Sequence, residues 1–123
     1  MSALPVLERT ITPTDMVAYA GATWDWHPLH YDPAFLASVG LERAVVDGQM
    51  LGALMAEQLM DHFGPRAFIA TLGFRFKAMV FAGDALRIEG TVTSVDGGVA
   101  SIEQRVLAGD RVAAEGTATV RVG

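Results

Sequence analysis

Nine consecutive residues, Trp24-Asp25-Trp26-His27-Pro28-Leu29-His30-Tyr31-Asp32, gather two carboxylates, two imidazoles and three large aromatic rings around one proline. A carboxylate and an imidazole are the groups best suited to take and return a proton, and Asp25 and His30 stand five positions apart. If the chain bends between them, the two can share and activate one water. Pro28 favours such a bend, because it restricts His27 to extended conformations and stiffens the turn. Trp24 and Trp26 beside the pair could exclude solvent and tune its ionisation. Taken without further context, an Asp and a His in a loop are more often surface or capping groups than catalysts.

The elements that must position this loop are legible on both sides of it. Thr12-Pro13-Thr14-Asp15 reads as an N-cap, a proline in the first helical position and a carboxylate in the positive first turn. The helix begun there carries Met16, Val17 and Ala20 on one stripe, with Tyr19 at its margin, and Gly21 is its expected stop. Asp32-Pro33 offers a second cap, for a short helix ending at Gly40. The longest helical pattern runs from Gly48 to Phe63, apolar on most faces, so it is expected to be buried. After Gly64-Pro65, Phe68–Phe76, Ala85–Val95, Val99–Leu107 and Val112–Val122 have strand character, as does Val6–Ile11 near the start. Asp96-Gly97-Gly98 and Ala108-Gly109-Asp110 supply turns. The pattern predicts an α+β architecture, a curved antiparallel sheet of about five strands wrapped around one long central helix, in a single domain spanning residues 1–123. Such a sheet leaves edges that a second protomer could cover, so a dimer is expected.

Composition narrows the function classes. Apolar residues make up 51% and charged residues 19% of the 123, a globular balance. A net charge of -5 with nine Lys and Arg leaves little to neutralise a phosphate backbone, so no nucleic-acid partner is expected. The absence of cysteine removes disulfides, thiolate catalysis and Cys-based metal sites. No window reaches the roughly 20 apolar residues of a membrane span, and no secretory leader is visible, so a cytoplasmic protein is expected.

Asp25-Trp26-His27-Pro28-Leu29-His30 resembles the hydratase signature of the MaoC-like family, Gly-Asp-x-Asn-Pro-(Leu/Ile/Val)-His, which includes the (R)-specific enoyl-CoA hydratases. Trp24 stands where that signature has Gly, and His27 where it has Asn. Tyr19-Ala20-Gly21 lies where the family often has a Tyr-Ala helix end. The likeness continues through Gly40 to Met50 into the central helix, where Asp47 takes the place of a common His, and through Gly73–Lys77 and Gly83-Asp84, with Met79 where Pro is common. The resemblance implies a hot dog fold and reversible syn addition of water to a trans-2-enoyl thioester. It implies Asp25 and His30 as the catalytic pair and the Gly48 amide as polariser of the thioester carbonyl. A helix N-terminus suits that last task on physical grounds. No metal and no cofactor is needed, since CoA is part of the acyl-CoA thioester substrate. A homodimer or dimer of dimers is expected, and a heteromer with another hot dog chain is possible. An ionised Asp47 pointing inward would oppose charge on the thioester oxygen, so it is expected to face away and cap the helix.

The remaining candidates each have a plainer reading. Trp24, Trp26 and Tyr31 either line the acyl pocket or pack the loop; His27 either bonds loop backbone or meets substrate or water. Asp32 reads as a helix cap, and His62 as a cation at the negative end of the central helix. Met50, Met55 and Met60 read as helix core, with Met50 also a candidate pocket residue. Arg75, Lys77 and Arg87 could meet CoA phosphates or form a solvated strand face. Two rival functions remain: a hot dog thioesterase using Glu57 on the central helix, and a binding or partner subunit of a heteromeric hydratase.

Overall fold

The computed structural model describes residues 2–122. Its elements are β1 (Ser2–Ala3), β2 (Leu7–Thr10), α1 (Pro13–Thr23), a 3₁₀ turn (Pro28–His30), α2 (Pro33–Ser38), α3 (Gly48–Phe63), β3 (Phe68–Phe76), β4 (Ala85–Asp96), β5 (Val99–Ala108) and β6 (Arg111–Arg121). The sheet is antiparallel throughout, in the order β1-β4-β5-β6-β3, with β2 also on the outer side of β4. This is the α+β hot dog arrangement; the expected five strands become six through the two-residue β1.

Why the sheet wraps α3 follows from its alternation. Leu86, Ile88 and Val92 of β4, Ala100, Ile102 and Val106 of β5, and Ala114, Ala118 and Val120 of β6 turn one face inward. They meet Leu51, Leu54, Met55 and Leu59 of α3. Irregular register between Val92 and Ser94 in β4 and between Val106 and Leu107 in β5 adds the twist that bends long strands around a helix. Two glycines in α3 let β3 approach: a Cβ at Gly52 would run into the Phe74 ring, and one at Gly48 into the Phe76 ring. Inside, Gln58 and Gln104 hold each other. Gln104 Nε2 donates to Gln58 Oε1 at 2.9 Å and to the Met55 carbonyl at 2.9 Å, while Gln58 Nε2 donates to the carbonyls of Pro5 and Ile88.

Two helix expectations need correction. α1 continues past Gly21 to Thr23, because a left-handed Trp24 (φ 60°, ψ 31°), not Gly21, turns the chain out of the helix. α3 is buried on one face only: Ala53 and Met60 point outward, Met60 being 55% exposed, since the sheet covers just the side bearing Leu51, Met55 and Leu59. Met55 is fully buried and Met50 packs against the core edge. No helix of the described residues is long and apolar enough to cross a membrane.

Candidate active site

Three backbone segments converge at the N-terminal end of α3. α1 is anchored by a reciprocal capping box, in which Thr12 Oγ1 accepts from the Asp15 amide and Asp15 Oδ2 from the Thr12 amide. Trp24 then delivers the chain straight into Asp25. The loop that follows is closed by its own polar groups: Asp25 Oδ1 accepts from the His27 amide at 3.4 Å, and His27 Nδ1 accepts from the Leu29 amide at 3.1 Å. His27 thus caps the 3₁₀ turn, the backbone-bonding role. Asp32 Oδ1 caps α2 by accepting from the amides of Ala34 and Phe35.

The third segment, Ala44–Val46, runs as a strap into α3 and is tied on both sides. Val46 N donates to the Val80 carbonyl and Ala82 N to the Ala44 carbonyl. On the loop side, Val45 N donates to the Leu29 carbonyl at 2.9 Å, and His30 Nδ1 meets the Val45 carbonyl at 2.7 Å. A carbonyl only accepts, so Nδ1 carries the hydrogen, and in a neutral ring Nε2 presents its lone pair. That Nε2 lies 3.8 Å from Asp25 Oδ2 and 3.9 Å from Asp47 Oδ2. The Asp25–His30 pair predicted from spacing is therefore brought together.

Asp47 is the departure. Its Oδ1 accepts from the Gln49 amide at 3.0 Å, the expected cap, but its Oδ2 does not face away. It is buried beside the pair, with the Asp25 carboxylate as a neighbour but no group that donates a hydrogen to it. The two roles are compatible because a carboxylate has two oxygens and the strap fixes which one turns inward. Asp25 is held below the usual carboxylate range, first by pairing with the Asp47 carboxyl, against some desolvation, with help from the His27 amide and His30. Asp47 is pushed up, first by burial and then by Asp25, against the pull of the Gln49 amide. Tyr19 of α1 also faces this cluster, its hydroxyl pushed up by burial and by the Asp47 and Asp25 charges. Asp47's inward oxygen and Tyr19 were missed as site groups by sequence reasoning; the Tyr19 position at the edge of the α1 stripe was the available signal.

The donor atoms of Asp25, His30 and Asp47 all lie within 4.8 Å of one another. Zinc ligands about 2.1 Å from the ion sit roughly 3.4 Å apart in a tetrahedron. The 3.8 and 3.9 Å separations of His30 Nε2 from the two carboxylates are a few tenths of an ångström wider.

His30 stands between two cavities. One, of about 790 Å³, is lined by Val17, Tyr31, Leu36, Leu41, Arg43 and Ala82 among others. The other, of about 490 Å³, is lined by Val46, Gly48, Leu51, Phe76, Lys77 and Val80 among others. As the first residue of α3, Gly48 has no intrahelical acceptor for its amide. Of the pocket candidates read from the sequence, Tyr31 lines the larger space, and Gly48, expected to polarise the thioester, lines the smaller one. Trp24, Trp26, His27 and Met50 line neither: the two indoles meet edge to face, and Trp26 meets Tyr31 likewise, packing the loop. Arg75 and Lys77 line a groove on the outer sheet face with Glu103 and Glu115, and Arg87 pairs with Glu89. Glu57 is held by Arg9 of β2 and is not part of the cluster. His62 lies in the last turn of α3 against Phe63.

This arrangement has close relatives. The family model for the MaoC like domain matches residues 2–116. The (R)-specific enoyl-CoA hydratase of Aeromonas caviae is 31% identical over 120 residues, covering 94% of this chain and 90% of that protein. The 3-oxo-4,17-pregnadiene-20-carboxyl-CoA hydratase beta subunit of Mycobacterium tuberculosis is 31% identical over 121 residues, covering 97% and 91%. The solved structure of the A. caviae (R)-hydratase matches with a TM-score of 0.91 at 29% identity over 97% of this chain and 93% of that one. Sequence, fold and relatives agree, and the chain belongs to the MaoC-like family of hydratases and dehydratases.

Proposed function

We propose that this protein catalyses reversible syn hydration of a trans-2-enoyl thioester to an (R)-3-hydroxyacyl thioester. The observation that carries the reading is the His30 geometry: Nδ1 is fixed by the Val45 carbonyl, and Nε2 faces Asp25 Oδ2 across 3.8 Å. In this reaction Asp25 and His30 hold one water. His30 Nε2 takes its proton as the oxygen attacks C3, and a proton is delivered to C2 on the same face, so H and OH are added in sum. The Gly48 amide, at the positive end of α3, receives the negative charge that develops on the thioester oxygen. A thioester lying past His30 would reach into both cavities. The proposal uses no metal and no cofactor beyond the CoA of the substrate, and places the reaction in the cytoplasm.

The assay is the loss of enoyl absorbance from crotonyl-CoA and longer enoyl-CoA esters, with the stereochemistry of the product recorded. Asp25→Asn and His30→Ala should each lower kcat by about 10²- to 10⁴-fold, the usual cost of a lost proton-transfer group. Full activity in both variants on every accepted ester would refute the assignment.

A second reading is favoured by one specific comparison, the likeness to a beta subunit. Here the chain would bind an acyl-CoA and work with a second hot dog chain. Purified alone, it would then bind the thioester without turnover. The thioesterase reading has less support, because Glu57 is paired with Arg9 near the surface and lies outside the Asp25–His30 cluster.

A further inference from the structure

The proposed hydration needs one carboxylate and one imidazole, yet the structure puts a second carboxyl into the same space. Asp47 is 8% exposed, and its unpartnered Oδ2 is as close to His30 Nε2 as Asp25 is. Hydrogen-bond arithmetic makes this costly if both acids are ionised. The space would be bounded by two carboxylates and a nitrogen lone pair, three acceptors, while a water has only two hydrogens to give. Two negative charges would also sit within 4.8 Å, one residue from the amide that receives charge during the reaction. One added proton removes both difficulties.

Resting on the hydratase reading above, we propose that Asp47 works as a neutral carboxylic acid in the substrate complex, donating a hydrogen bond to the Asp25 carboxylate and so leaving the water's two hydrogens for Asp25 and His30. It is a positioning residue, acting through Asp25 and the water. Of the two acids it is the one that carries the proton, because it is the more buried and charge is costlier there. The directions of the two carboxyls, Asp47 up and Asp25 down, agree. The groups facing it are Tyr19 from α1, Asp25 from the loop and His30 from the 3₁₀ turn, with the Gln49 amide on its own helix. A bound thioester that fills both cavities would expel water and push Asp47 further up.

The test separates this role from capping. Asp47→Asn keeps an oxygen for the Gln49 amide and an NH₂ that always donates, whereas Asp47→Ala loses both. Wild-type kcat should fall on the alkaline side as Asp47 gives up its proton, at a higher pH than the matching limb of kcat/KM, which reports the free enzyme. Asp47→Asn should keep kcat within about threefold of the wild-type optimum and lack that limb, while Asp47→Ala loses about tenfold or more throughout. Wild-type and Asp47→Asn profiles that superimpose, or equal losses in Asp47→Asn and Asp47→Ala, would overturn the proposal. A second readout needs no turnover: carbon-13 NMR titration of the aspartate carboxyls in the free protein. Asp47 should titrate above the ordinary value of about 3.9 and Asp25 below it. An Asp47 signal at or below that value overturns the proposal. Failure of the wild type to hydrate any enoyl thioester would instead overturn the hydratase reading, leaving the titration to judge Asp47.

Discussion

Trp24 holds a backbone conformation that a bulky side chain adopts at a cost of roughly 1–2 kcal/mol, and it does so one residue before the proposed base pair. Its ring recovers little by burial, being 78% exposed, and its main contact is the edge of Trp26. Trp24→Gly relieves the strain and adds a chain-entropy cost of about 0.5–1 kcal/mol, for a net gain of about 0.5–1 kcal/mol. Thermal unfolding should therefore show a Tm higher by about 2–5 °C. A lower Tm would mean that the stacking with Trp26 outweighs the strain. At this scale the sequence was informative wherever a side chain announces its own role. The convergence of Asp25 and His30 and the Asp32 cap follow from residue type and spacing around Pro28, whereas His27 was left open between bonding loop backbone and meeting substrate or water. The tautomer of His30 did not follow, because any residue at position 45 supplies a carbonyl and only the strap decides where it points. The inward oxygen of Asp47 was missed for a related reason: a cap residue uses one oxygen, and nothing local says where the other goes.

At the scale of elements, the site depends on how closely β3 lies on α3. Gly52 has no room for a methyl group, since the Phe74 ring occupies its place and is itself wedged against Phe76 at 5.5 Å between centroids. Gly52→Ala should gain about 1 kcal/mol in helix propensity but lose about 1–3 kcal/mol to overpacking, so the balance falls on destabilisation. A lower urea midpoint with an unchanged m-value is the expected result; an equal or higher midpoint would show that the ring moves aside freely. The elements themselves were readable: α3 spans Gly48–Phe63 as its periodicity predicts, and β3 spans Phe68–Phe76. The end of α1 was not, because glycine is the usual left-handed stop and this chain uses a tryptophan three residues later. The exposure of Met60 was hidden as well, since apolar residues on several faces of a helix cannot say how many of those faces the sheet covers.

For the whole molecule, the open question is what meets the free side of β3. Its inner neighbour is β6, and among the described residues no strand pairs its other side. The nine-residue edge presents unpaired backbone groups together with Phe68 at 63% and Phe76 at 57% exposed. The opposite edge is blunted, because the short β1 and β2 divide β4 between them. Two protomers joined through β3 would continue the sheet, bury these rings and bring both copies of the smaller cavity, whose wall runs from Phe76 to Val80, to the junction. A glutamate at position 68 would place an unpaired charge in such a junction while leaving the core untouched. Light scattering after gel filtration should find the wild type as a dimer of the 13.1 kDa chain, and Phe68→Glu with its dissociation constant raised about tenfold or more, a cost of about 1.4 kcal/mol. Far-ultraviolet circular dichroism should be unchanged, because Phe68 lies outside both buried clusters. A wild type that stays monomeric at micromolar concentration, or a Phe68→Glu dimer of undiminished strength, would mean that β3 meets a different chain or that another face joins the protomers.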